Sequence, residues 1–355
     1  MRVAVASLET WKQRDTEALR RLRRVAESLA NRGHDVHVLC SQWWDGYGDR
    51  REEGDITYHG VVVSPDARQS FLLRLPVAIA SVRPDIVHAG ALPPAQVTPA
   101  SIGSTLARCP LIVEWYGDEE AAAGSARSRR WAVRRPDVVV TPSRLVKTEV
   151  REAGADGDDV RVIPDSIDVE RIRDTEPDDR GSLVYARRLD EGANLESMLL
   201  ALAELRDRDW SATVIGDGPR REEYEQQARD LRIDDRVEFV GSCSRDERIA
   251  IYRGAHVFVQ TARRSPFATE LLWGLASGCV GIVEYHAESS AHELVENRPR
   301  GFRTTSEQEL ADAIVDAGRL DRLDLDESFA SYDRDAVLEE YLECYRTLRE
   351  GSGLF

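Results

Sequence analysis

Short apolar runs and amphipathic stretches alternate along almost the whole chain. VAVA (3–6) leads to a helical stretch around 15–32, then Gly33, then DVHVLC (35–40). ITYHGVVV (56–63) follows, then a helix at 68–82 and PDIVHAG (84–90). A helix near 94–108 leads to CPLIVEWYG (109–117), a helix at 121–134 to PDVVVTPS (136–143), and a helix at 144–153 to VRVIPDSID (160–168). A βαβ series of this kind predicts a parallel sheet covered on both faces.

RDTEPDDRG (173–181) contains no apolar residue and reads as a linker. The alternation then restarts with SLVYARRL (182–189) and runs through WSATVIGDGP (210–219), RVEFVGS (236–242), HVFVQTA (256–262) and CVGIVEY (279–285), with helical stretches at 193–206, 220–232, 245–254, 268–278 and 289–296. The expected fold is α/β: two Rossmann-like, doubly wound domains facing across a cleft, 1–172 and 173–330, followed by a last helical stretch within 331–355. Ligands of open α/β sheets bind beyond the carboxyl ends of the strands, so the cleft is the expected site.

Composition narrows the function. With 355 residues, 42% of them hydrophobic, the chain can fill two ordinary cores. No apolar run approaches a membrane span, and MRVAVAS begins directly as a strand, so no signal peptide is expected. Five cysteines lie far apart, in odd number and without metal-ligand spacing, which points to a reducing cytoplasm. The net charge of −16 argues against nucleic acid. Lys12 and Lys147 are the only lysines. So many carboxylates with so little lysine suggest solubility at high salt, where repulsion is screened over about 3 Å at 1 M; a GC-rich genome explains only the exchange of lysine for arginine.

A dinucleotide cofactor would need a glycine-rich turn after the first strand; SLETWKQRDTEALRR has none, and no phosphate loop is present. DGD (156–158) and DLD (324–326) are acidic, turn-like sequence rather than metal ligands. Neither a cofactor nor a metal is expected. In the second half, SLVYARRLD ends a strand in Arg187 and Arg188, a place from which a guanidinium can fork onto a diphosphate, although taken alone these read as surface arginines of a chain full of them. VIGDGP ends another strand in a turn at Gly216.

In combination these stretches resemble glycosyltransferase family 4, the retaining GT-B glycosyltransferases. VRVIPDSID is similar to that family's V-x-V-I-P-N-G-I-D, and YARRL stands where it has V-G-R-L. VIGDGPRREEYEQQARDL, RVEFVGSCSRDERIAIYRGAHVFV, LASGCVGIV, PDIVHAG and PDVVVTPS match as well. The resemblance implies transfer of a sugar from a nucleotide-diphosphate sugar to an acceptor hydroxyl, with retention and without a metal. The second domain would hold the donor and the first the acceptor, and the final helix would return to the first domain.

Several positions depart from the family. Its diphosphate-binding lysine falls on Ala193 and the following glycine on Asn194. A strand-end histidine that helps hold the reacting sugar is replaced by Tyr116, and the paired glutamates fall on Ser265 and Trp273 in SPFATELLWGLASGC, a stretch that also holds Phe267. Arg187 beside Arg188 is the expected substitute for the lost ammonium. Glu270, Trp273, Gly274 and Ser277 share a helical stripe. On it Glu270 either takes over a ribose contact or steadies the helix dipole, Trp273 either walls the pocket or fills the core, and Thr269 fits an N-cap. Ser289 and Ser290 stand where the family presents backbone amides to the donor. Glu114 and Asp118 flank Tyr116 at a strand end; either one of them orients the acceptor hydroxyl as hydrogen-bond acceptor or base, or both are ordinary solvated acids of an acid-rich chain.

SARSRRWAVRR (125–135) is the one compact basic patch, with Arg127, Arg130, Trp131 and Arg134 on one helical face. It either meets anionic lipid, as a similar region of the family often does, or is a solvated helix. The expected protein is a cytoplasmic glycosyltransferase acting on a glycan or lipid-linked acceptor, peripheral at the inner membrane face. The alternative is a degenerate module that keeps sugar-nucleotide binding without transfer.

Overall fold

The computed structural model describes residues 1–46, 48–117, 126–178 and 180–351. The chain folds as two compact units, Met1–Asp165 with Asp335–Phe355, and Ser166–Arg334.

The first unit contains β1 (Arg2–Ala6), α1 (Glu17–Asn31), β2 (Asp35–Ser41), β3 (Arg50–Glu53), β4 (Ile56–Val62), α2 (Arg68–Val82), β5 (Ile86–Gly90), α3 (Val97–Ala107), β6 (Leu111–Glu114), α4 (Ala126–Arg134), β7 (Val138–Thr141), α5 (Arg144–Glu152) and β8 (Val160–Val162). The strands order as β3-β4-β2-β1-β5-β6-β7-β8, all parallel except the β3–β4 pair. Strand periodicity sorts the two faces. Val3 and Val5 of β1 enter one core with α1, while Ala4 and Ala6 enter another beneath α2, α3, α4 and α5. Helix ends follow from local chemistry: Thr16 accepts the Leu19 N–H at the start of α1, and Gly33, at φ +78°, turns the chain after it.

The second unit contains α6 (Val169–Asp174), β9 (Leu183–Ala186), α7 (Leu195–Glu204), β10 (Ala212–Ile215), α8 (Arg221–Asp230), β11 (Val237–Gly241), α9 (Arg245–Gly254), β12 (Val257–Gln260), β13 (Arg264–Ser265), α10 (Thr269–Ala276), β14 (Val280–Glu284), β15 (Glu288–Ser289), α11 (His292–Val295), β16 (Gly301–Thr304) and α12 (Glu307–Ala317). The main sheet, β11-β10-β9-β12-β14-β16, is parallel throughout. The last helix, α13 (Arg334–Gly351), places Val337, Leu338, Tyr341, Leu342 and Tyr345 in the core of the first unit, beside Val3, Val5 and Leu22.

Two elements escape the alternation pattern. β3 is Arg-Arg-Glu-Glu, an all-charged edge strand with no apolar residue to announce it. The stretch expected to link the domains begins inside α6, and the first unit ends at Asp165 rather than 172. Hydrogen bonds explain the shift. Ile167 and Val169 bond to Tyr332 and Asp333, Arg171 pairs with Asp246 at 2.7 Å, and Arg253 donates to the carbonyls of Arg173 and Thr175.

Candidate functional site

The carboxyl ends of β9 and β10 are joined backbone to backbone. Arg187 N–H bonds the Ile215 carbonyl, Leu189 N–H bonds Asp217 and Arg220 N–H bonds Leu189, each at 3.0 Å. Gly216 lies at φ +132°, and a Cβ there would stand 1.9 Å from the Arg187 carbonyl oxygen; one at Gly218 would stand 2.3 Å from that of Leu189. The two glycines let the turns close, and this closure sets where Arg187 and Arg188 project.

Arg188 is exposed, and its guanidinium makes no hydrogen bond or ion pair among the described residues. Arg187 is half-buried. Its Nη1 donates to the Arg264 carbonyl at 2.8 Å, while its buried Nε has no partner among the described residues. β9 and β12 are neighbours, so the cations after both strands gather at one end of the sheet.

Arg263 belongs to this end and was not singled out by sequence. Its Nε and Nη2 donate to Asn194 Oδ1 at 3.2 and 3.0 Å, and Glu196 holds Nη2 at 3.1 Å. Asn194 sits at φ +53°, a conformation that asparagine tolerates better than most residues and glycine tolerates freely. Its Nδ2 donates to the Thr261 carbonyl at 3.0 Å and to Glu284 at 3.1 Å. Burial pushes the Glu284 carboxyl above its ordinary range, against the opposing Ser197 hydrogen bond and His286. Ala193, at the family's lysine position, is fully buried, so the cation this loop gains comes from β12's end instead.

The stretch from Ser265 to Trp273 is organised inward. Ser265 is buried in the short β13–β15 pair. Its carbonyl accepts the Ser290 N–H at 2.9 Å, and the Ser289 N–H is bonded to His286 at 3.0 Å. Both amides expected to face the donor are therefore occupied by the protein. Phe267 is buried. Thr269 is not the N-cap of α10; Ala268 is, and it makes no side-chain capping bond.

Glu270 also departs from expectation. Arg245 Nη1 reaches both its oxygens, at 3.2 and 3.1 Å, Arg248 Nη1 donates at 2.6 Å and the Tyr252 hydroxyl at 2.6 Å. Burial opposes its charge, but the two guanidiniums prevail and hold the carboxyl below its ordinary range. With these donors in place the acceptor sites of the carboxylate are taken, so Glu270 ties α9 to α10 instead of presenting itself to a ribose. Trp273 is buried, with the Arg245 guanidinium 4.8 Å from its ring centroid, so this face is covered rather than open to a base.

In the first unit Glu114 ends β6 fully enclosed. Arg21 Nε donates to it at 2.7 Å, the Tyr341 hydroxyl at 2.6 Å, and His88 Nε2 lies 3.1 Å away. Arg21 also pairs with Asp165 at 2.9 Å and donates to the Ile163 carbonyl, and His88 Nδ1 meets the Tyr345 hydroxyl at 2.5 Å. Burial would raise the Glu114 carboxyl; Arg21 and His88 overcome it and hold it at about 2. Enclosed and bonded by three protein side chains, the Glu114 carboxylate faces Arg21, His88 and Tyr341 and is neither a solvated acid nor turned to an acceptor hydroxyl. Tyr116 is buried too, its hydroxyl donating to Asp165 at 3.4 Å. Asp118 lies outside the described residues. Arg21, Asp165, Tyr341 and Tyr345 were not legible as a group, because they meet only when α1 and α13 close over the sheet.

On α4, Arg127, Arg130, Trp131 and Arg134 are all exposed. Asp156 accepts the Asp158 N–H and Asp326 the Ser328 N–H, so the acidic turns serve local structure. No described helix is long and apolar enough to cross a membrane.

Residues 18–171 match the model of Glycosyltransferase Family 4, and residues 166–334 that of Glycosyl transferases group 1, the latter coinciding with the second unit. Among curated proteins the chain is 26% identical over 198 residues to the alpha-monoglucosyldiacylglycerol synthase of Streptococcus pneumoniae, covering 51% of this chain and 44% of that one. It is 29% identical over 146 residues to the 2-deoxystreptamine glucosyltransferase of Streptomyces kanamyceticus, covering 37% and 38%. The matches thus span less than half the length of either relative. Among solved structures, HepE of Anabaena in complex with UDP superposes with a TM-score of 0.77 at 19% identity, over 98% of this chain and 100% of that one. Each unit is a Rossmann-like parallel sheet of the kind found in GT-B enzymes, and the chain belongs to glycosyltransferase family 4.

Proposed function

We propose that the chain transfers a sugar from a uridine-diphosphate sugar to a hydroxyl of a lipid-linked acceptor, with retention at the anomeric carbon and without a metal. The observation that carries the reading is the gathering of Arg187, Arg188 and Arg263 at adjacent strand ends of the second unit, with the Arg188 guanidinium exposed and unpaired among the described residues. Cations there would offset the diphosphate as its bond to the sugar breaks. The departing diphosphate oxygen takes the acceptor's proton while the new carbon–oxygen bond forms on the same face, so no protein carboxylate is required. Two likenesses support the donor and acceptor: HepE is also solved with UDP-glucose, and the streptococcal relative is named for a glycolipid product. The arginines of α4 would meet the anionic membrane that carries the acceptor.

The enclosure of Glu114 and Glu270 favours a second reading, a module that binds the nucleotide sugar and does not transfer it. Incubation with UDP-glucose and a panel of other nucleotide sugars, with and without lipid extract, separates the two. Lipid-dependent release of nucleoside diphosphate supports transfer. Binding by calorimetry with no release in any mixture supports the module, and no binding at all removes both.

A further inference from the structure

Exposed apolar side chains are usually scattered singly over a surface. In the first unit they are gathered. Val63, Leu73 and Val77, Ile102 and Leu106, and Trp131 are each between 47% and 81% exposed. On α2 the buried stripe is Phe71, Leu75, Ile79 and Val82, and Leu73 and Val77, one turn apart, lie opposite it. On α3 the buried residues are Val97, Pro99, Ala100, Gly103 and Ser104, and Ile102 and Leu106 stand exposed. α2 and α3 pack side by side, so closely that a Cβ at Gly103 would stand 2.8 Å from the Ile79 side chain. The buried stripes of both helices share one core with Ala132 and Val133 of α4. Helices laid on the same face of one sheet turn their outward sides the same way.

The charge of this face is as unusual as its apolarity. The chain carries 64 acids, yet residues 67–113 contain one, Asp85, which is engaged by the Arg2 N–H and by Arg349. Arg68, Arg74, Arg83 and Arg108 are exposed on or beside α2 and α3. Residues 126–135 add five arginines and no acid. Arg135 stacks on Trp131, 4.8 Å from its ring centroid, an amphipathic pairing suited to a polar–apolar boundary.

We propose that the outward sides of α2 and α3 form a membrane-docking face. Leu73, Val77, Ile102 and Leu106 enter the boundary of the acyl layer, and the surrounding arginines contact the phosphates of an anionic bilayer. Charge complementarity selects the occupant. On a chain of net charge −16, the exposed arginines on and beside α2 and α3, in a stretch with a single acid, are the charge that an anionic bilayer attracts. The inference deepens the membrane part of the proposed function and rests on it only for the headgroup contact of α4; the apolar face is a separate observation, and sugar transfer plays no part in it.

The test is sedimentation of the full chain with vesicles of phosphatidylglycerol and phosphatidylcholine, and with phosphatidylcholine alone, at low salt and at about 1 M salt, where charge contacts are screened within about 3 Å. Wild type should pellet with the anionic vesicles and keep part of that binding at high salt. The variant Leu73→Ser/Val77→Ser/Ile102→Ser/Leu106→Ser should partition about tenfold less at both salts. Arg130→Glu/Arg134→Glu should lose binding at low salt only. All four apolar positions are exposed, so thermal melting should be unchanged; Leu73→Ser/Val77→Ser serves as the milder variant. Equal pelleting of the apolar variant and wild type overturns the proposal. So does wild-type binding that vanishes entirely at high salt, which leaves the α4 contact standing. A wild-type dimer in sedimentation velocity that the apolar variant dissociates assigns the face to a second copy and overturns it too. If no vesicle is bound while UDP-glucose is, the membrane reading falls and the donor reading stands.

Discussion

Both units place charge at the carboxyl ends of their strands, and the two do opposite things with it. In the first unit, Arg21, Glu114, Asp165, His88, Tyr341 and Tyr345 satisfy one another in a buried cluster that pins α1 and α13 to the sheet. In the second unit the arginines exceed their partners: Arg188 has none among the described residues, and the buried Nε of Arg187 has no acceptor. A charged residue at a strand end is therefore not a site by virtue of its position. What marks a site is charge left over once the protein's own contacts are counted.

The sharpest break in the comparison should come from Arg21→Ala. It strands Glu114 in a buried position, removes one of the cations on Asp165, which Arg24 also meets, and should cost about 3–5 kcal/mol of folding stability in denaturant titration. A loss under roughly 1 kcal/mol would mean that the cluster is not what holds α13 in place. The pH dependence has a definite sign. The folded Glu114 carboxyl is depressed to about 2 from an ordinary value of 4.5. Its contribution is thus fully present above 4.5 and fades as the pH falls through about 2. The stability gap between wild type and Glu114→Gln should be widest above pH 4.5 and narrow on acidification.

Arg188→Ala probes the other side. Loss of a charged hydrogen bond to the diphosphate should weaken UDP binding by about 1.5–3 kcal/mol, roughly ten- to a hundredfold. Melting should be unaffected, because the guanidinium bonds to nothing among the described residues. Calorimetry that returns wild-type affinity would take Arg188 out of the donor site and leave the two clusters without a functional contrast.

Much of the frame was legible because a parallel sheet writes itself into the sequence. Buried strands such as Val138–Thr141 and Val257–Gln260 open on three successive apolar residues, and α2 falls at the expected 68–82. β3 was not legible, being four charged residues paired only along an edge. Arg187, Arg188 and the turn at Gly216 stood out only when the stretches were taken in combination, and Arg263 did not stand out at all. Nor did the partners of Glu114 and Glu270. Arg21 and Tyr341 are brought to Glu114 from distant parts of the chain by tertiary closure, and Arg245, Arg248 and Tyr252 reach Glu270 from a neighbouring helix. A sequence shows that a carboxylate is present; only packing shows whether its lone pairs are already taken. The exposed side of α2 and α3 illustrates the same limit in reverse, since helical spacing shows two apolar stripes and only burial shows which of them is in water.

Glu270→Gln gives the smallest expected effect and the finest division between the two kinds of charge. Glutamine keeps the size and one carbonyl acceptor but loses the charge that Arg245 and Arg248 share. The three groups are each about four-fifths enclosed, with side-chain exposures of 20%, 26% and 24%, so their pairing is neither a solvated surface bridge nor a fully desolvated one. A loss of about 1–2 kcal/mol in stability follows, from weaker anchoring of α9 on α10. Because the carboxylate is depressed below its ordinary range, that loss should appear above the ordinary carboxylate pKa and diminish as the pH falls below it. UDP affinity should change little, since the donors on Glu270 come from the protein. The opposite pattern, wild-type melting with weakened UDP binding, would show that a ligand displaces Arg245 or Arg248 from the carboxylate. Glu270 would then move from the self-satisfied class to the class that holds charge in reserve.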